Sequence, residues 1–61
     1  MEEVLRQKIV NYIINRFKVI SENNNKISLI DLWSVQLEVE EKFNITDNQS
    51  QGITTEVLEV I

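Results

Sequence analysis

The sequence predicts a mostly α fold, a small bundle of three or four helices. Residues 2–20 contain neither Gly nor Pro and repeat apolar side chains at helical spacing. Residues 28–43 step apolar positions by three and four, and this second stretch is rich in glutamate and again free of Gly and Pro.

In the first element Leu5, Ile9, Tyr12, Ile13, Phe17 and Ile20 recur every three or four residues, which places them on one face of a helix. Val10 and Ile14 widen this stripe and imply contacts on more than one side. Arg6, Lys8 and Lys18 fall towards its edges. The run from Ser21 to Lys26, with three consecutive asparagines, predicts a loop, because Asn side chains compete with the helical backbone for hydrogen bonds.

The next element has two readings. Trp33, Val35, Leu37 and Val39 alternate with Ser34, Gln36, Glu38 and Glu40, as in a half-buried strand. A helix from Ser28 to Phe43 accounts for more. It gathers Leu29, Leu32, Gln36, Val39 and Phe43 in one stripe and Ile30, Trp33 and Leu37 in an adjacent one, with Asp31, Ser34, Glu38, Glu41 and Lys42 opposite. A strand leaves Ile30, Leu32 and Phe43 unexplained, whereas the helix has only Gln36 and Glu40 intruding on its apolar side.

Asn44 to Gly52 reads as a connecting loop built on Asp47, Asn48, Ser50 and Gly52. Thr54 or Thr55 then caps a short final helix, with Glu56 near its positive end, and Val57, Leu58, Val60 and Ile61 dock on the other helices. The same segment has high strand propensity. If both ambiguous segments were strands, the fold would be α+β, one long helix packed on a β-hairpin. The expected core is Leu5, Ile9, Ile13, Phe17, Leu29, Leu32, Trp33, Val39, Phe43 and Leu58.

Length and composition bound the function. A chain of 61 residues is a single domain, and domains of this size bury only about 60% of the surface their unfolded chains expose. Without Cys or His, disulfides and ordinary zinc sites are excluded, which leaves self-association or a partner as the route to extra stability. The acidic start and the lack of a long apolar run predict a cytoplasmic protein with no membrane span.

The same absences remove the Ser/His/Asp and thiolate nucleophiles, and the single Gly52 cannot build a phosphate loop. Among the carboxylates, only Glu38 and Glu41 share a helical face, and no calcium-loop pattern is present. The expectation is a non-enzymatic module without a cofactor that acts by protein–protein contact, as an adaptor, regulator or inhibitor, and forms a homo-oligomer.

Charge sharpens that expectation. Residues 1–26 carry five basic side chains against three acidic, residues 27–61 one against seven. The acidic half repels nucleic acid and attracts a basic patch on a protein. Asp31, Glu38 and Glu41, with Trp33, are the candidate partner-binding residues. Trp33 is alternatively a core anchor, in which case its replacement by Ala costs about 3–5 kcal/mol. A helix-turn-helix transcription regulator using Lys8, Arg16 and Lys18 is a further alternative, and it requires the acidic half to face away from DNA.

The segments Val39-Glu40-Glu41-Lys42-Phe43 and Ile53-Thr54-Thr55, set in the order long helix, loop, acidic helix, loop, terminal helix, resemble the acyl carrier protein family. The resemblance implies a small helical bundle whose acidic helix is read by basic partner enzymes. It also implies phosphopantetheine on a Ser at the start of that helix, within an Asp-Ser-Leu segment. Ser28-Leu29 stands nearest that position, with Ile27 in place of the Asp and one extra residue before Phe43; Ser34 is the other candidate. Without the group, Ser28 is the N-cap of its helix.

Overall fold

The computed structural model describes residues 2–60, which form three helices: α1 (Glu3–Asn24), α2 (Leu29–Phe43) and α3 (Asp47–Val60). Both segments that could be read as strands are helical, and no strand occurs among the described residues. The fold is a three-helix bundle in which each helix packs against the other two.

The helix ends show where loop composition misleads. Ser21 to Asn24 remain helical, and α1 stops at Asn25, which takes a left-handed conformation (φ 65°) and donates its N–H to the Ser21 carbonyl at 2.8 Å. Asn tolerates that conformation, so one residue ends the helix rather than the whole asparagine run. Asn44 (φ 53°) closes α2 in the same way. At the start of α2 the Ser28 hydroxyl accepts from the Asp31 N–H at 3.2 Å. The Asp31 carboxylate accepts from the Ser28 N–H at 3.0 Å. This reciprocal capping box satisfies backbone donors at the first turn.

A second such box overturns the predicted loop from Asn44 to Gly52. Thr46 Oγ1 accepts from the Gln49 N–H at 3.2 Å while Gln49 Oε1 accepts from the Thr46 N–H at 3.0 Å. Helix α3 therefore begins at Asp47, and Gly52 lies inside it. Thr54 and Thr55 are not caps: Thr54 is buried, and Thr55 Oγ1 donates to the Gln51 carbonyl at 2.8 Å.

The core joins Ile9, Ile13 and Phe17 of α1, Val35 and Val39 of α2, and Ile53 and Val57 of α3, with Leu5, Leu32, Phe43 and others part-buried around them. Three expected core residues lie outside it: Leu29, Trp33 and Leu58 are 66%, 64% and 40% exposed. Val60 is exposed as well, and Ile61 lies outside the described residues.

The rotation of α2 explains the difference. Its apolar residues cover more circumference than two neighbouring helices can touch, so one stripe must face outward. Polar anchors select which. Glu38 reaches α1, Glu40 reaches Ser50 of α3 at 2.6 Å, and the small β-branched Val35 and Val39 fill the space between. Turning Trp33 inward would break both anchors.

Ser50 and Thr54 are the buried polar residues. Ser50 is satisfied by Glu40, but Thr54 Oγ1 has no hydrogen-bond partner among the described residues. A buried hydroxyl without a partner costs about 1–3 kcal/mol of desolvation. Thr54→Val, which exchanges the hydroxyl for a methyl of similar shape, is expected to stabilise the fold by about 1 kcal/mol. Urea unfolding of the two proteins checks this, and a lower midpoint for the Val variant refutes it.

Candidate functional site

The outer face of α2 is the feature that the fold leaves unexplained. Leu29, Ile30, Trp33 and Leu37 recur at intervals of one, three and four residues, and they are 66%, 75%, 64% and 62% exposed. At 1.5 Å per residue, the stripe runs about 12 Å along the helix. Beside it, Trp33, Leu37 and Gln36 form one wall of a shallow hollow of about 220 Å³, closed on the α3 side by Asp47 and Gln51. Glu40 also lines it, so the charged groups of the hollow are both acidic.

The sequence-predicted partner residues fall into different surroundings. Trp33 is at the centre of the exposed stripe, and Glu41 is exposed one turn beyond Leu37. Glu38 is turned to α1 instead. Its Oε1 accepts from the Tyr12 hydroxyl at 2.7 Å and from Arg16 Nε at 2.9 Å, and its Oε2 from Arg16 Nη2 at 3.0 Å. The Tyr12 hydrogen bond, aided by Arg16, holds the Glu38 carboxyl below its ordinary range. The same hydrogen bond raises the Tyr12 phenol above its own. Lys42 Nζ sits 5.6 Å from the centre of the Tyr12 ring, and Phe43 meets that ring edge-on at 5.8 Å. Lys42 is thereby directed to the α1 side and does not neutralise Glu41 on the outer face.

Asp31 is occupied at the N-terminus of α2, where hydrogen bonds from the Ser28 N–H and hydroxyl lower its pKa. Ser28 is exposed, as is Ser34. The Ser28 hydroxyl donates to the Asp31 carboxylate at 2.8 Å. Any phosphate-linked group on Ser28 would have to displace that bond and set its own negative charge beside an ionised carboxylate.

Leu29, Ile30 and Leu37 were not expected at a functional surface. Their signal is present in the sequence as the second apolar stripe on α2, one more than a buried helix of a three-helix bundle can use.

An apolar groove of about 480 Å³ lies between α1 and the end of α3, with Ile14, Ile27 and Leu58 in its lining. No helix among the described residues is long and apolar enough to cross a membrane. No family model, curated protein or solved structure matches the chain.

Proposed function

We propose that this protein is a non-enzymatic contact module that binds a protein surface through the outer face of α2. The observation that supports it is the continuous stripe of four large apolar side chains, each more than 60% exposed. Scattered exposed apolar residues are ordinary on soluble proteins, but a contiguous patch marks a site of association. Trp33 at its centre is the residue type most enriched at binding hot spots. Glu40, Glu41 and Asp47 at the rim favour a surface that brings basic side chains to that end.

The geometry gives less support to the other two readings. A phosphopantetheine carrier needs Ser28 free, whereas its hydroxyl is bound to Asp31. As a DNA reader, α3 would be the second helix of the helix-turn-helix. That helix holds Asp47, Glu56 and Glu59 and no Lys or Arg, the wrong sign for a phosphate backbone.

Two measurements test the contact reading. In dilute solution Trp33→Ala is expected to change stability by about 0.5 kcal/mol or less, as for an ordinary surface substitution. A photoreactive phenylalanine analogue at position 33, introduced in the source cells, is expected to crosslink to protein. The same probe at Asn15, an exposed position on α1 away from both the hollow and the groove, supplies the background. Equal crosslinking at the two positions overturns the reading.

A further inference from the structure

Resting on that contact reading, we infer that the surface covering the outer face of α2 is a second copy of the same chain, packed antiparallel across a two-fold axis beside Trp33. A small domain with two apolar stripes on one helix gains the burial its size denies it by pairing the outer stripe. An isologous pairing must be self-complementary, and this stripe is so in size and in charge.

Size comes first. An antiparallel pairing that sets Ile30 opposite the partner's Leu37 sets Trp33 opposite the partner's Ser34. Ser34 is small and exposed, so it leaves room for an indole. The pairing packs large against small at the axis and aliphatic against aliphatic on either side.

Charge favours the same direction. Asp31 in the first turn of α2 and Lys42 in its last turn are drawn aside, the one to Ser28 and the other over the Tyr12 ring, so neither sets the charge of the outer face. Glu40 and Glu41 stand at the C-terminal end of α2, where the helix dipole is also negative. The exposed Lys26 stands in the connection just before the N-cap, beside the positive end of the dipole. The register that joins Ile30 to the partner's Leu37 sets Glu41 at the N-terminal end of the partner's α2, the end whose connection carries Lys26, twice over by symmetry. A parallel pairing would instead place Glu41 against the partner's Glu41 and align the two dipoles unfavourably.

Trp33 is the only Trp, so its fluorescence on dilution reports this face alone, and sedimentation equilibrium gives the mass. The full chain is expected to be a dimer at micromolar concentration, with Trp33 emission shifting to longer wavelength as it dissociates. Lys26→Glu and Glu41→Lys each replace two attractions by two repulsions, and each is expected to weaken the dimer about tenfold. Because a mixture of the two variants restores opposite charges at both ends, it is expected to form a heterodimer tighter than either variant alone. A mixture no tighter than the separate variants overturns the antiparallel pairing.

A purified chain that stays monomeric overturns the dimer altogether. In that case crosslinking from position 33 to a different protein leaves the contact reading standing, and background crosslinking removes both.

Discussion

Phe17→Ala is expected to leave the chain largely unfolded at ambient temperature. Phe17 is 1% exposed and is the largest fully buried side chain, placed where α1 meets both other helices. Truncating such a residue to Ala removes its transfer free energy and opens a cavity, together costing about 3–5 kcal/mol. Domains carry about 0.05–0.15 kcal/mol of stability per residue, about 3–9 kcal/mol for this length, so the loss removes a large share of the stability of a chain of 61 residues and all of it at the lower end. Circular dichroism over a thermal scan checks it. The variant should lose most helical signal or melt far below the parent, while Phe17→Leu, which keeps most of the volume, should remain folded. A Phe17→Ala melting point within a few degrees of the parent would refute the core described above. Trp33→Ala in dilute solution provides the contrast: it removes a larger side chain at far smaller cost, because in the single chain Trp33 is 64% exposed.

That contrast also shows where the sequence was legible. Helix α1 was readable because Ile9, Ile13 and Phe17 repeat at four-residue steps on an uninterrupted segment, and a single buried stripe has only one way to face. Helix α2 was readable as a helix for the same reason, but its rotation was not. Leu29, Trp33 and Val39 are all apolar, and hydropathy ranks Trp33 as an anchor without saying which stripe turns inward. The decision rests on Glu38 meeting Arg16 and Tyr12, and Glu40 meeting Ser50. Those pairs are long-range, and spacing along one helix cannot reveal them.

The start of α3 was hidden differently. Thr46, Asp47, Asn48 and Gln49 have turn composition, and Gly52 reinforces it, yet Thr followed three residues later by Gln is also a capping box. Composition suggested a loop; pairing of the two side chains with the backbone began a helix. The candidate site shares this mixture. The sequence marks Trp33 as a core anchor or a contact residue and Asp31, Glu38 and Glu41 as contact residues, of which Asp31 and Glu38 are occupied within the fold. The exposed aliphatic residues around Trp33 became recognisable only after the rotation of α2 was fixed.

Glu38→Ala is expected to destabilise the fold by about 1–2 kcal/mol. A carboxylate that accepts three hydrogen bonds, two of them from one guanidinium, is worth more than an isolated surface pair. The Arg16 and Glu38 side chains are each 37% exposed, so water and salt recover part of the loss and keep the figure low. The pH dependence tests the cause. Because folding lowers the Glu38 pKa, its contribution is complete above the ordinary value of 4.5 and is lost as pH falls through the depressed folded value. Tyr12 works with the opposite sign: folding raises its pKa, so its contribution is complete below the ordinary value of 10.0 and is lost as pH rises through the raised one. Asp31 is also lowered on folding and adds acid sensitivity of its own. The informative quantity is therefore the difference between the parent and Glu38→Gln, in which Asp31 is common to both. Urea midpoints measured from pH 2 to pH 7 should show the parent's advantage over Glu38→Gln shrinking as the carboxylate protonates. An advantage that is constant across that range would mean that the Glu38 charge contributes nothing to holding α2 in its rotation against α1.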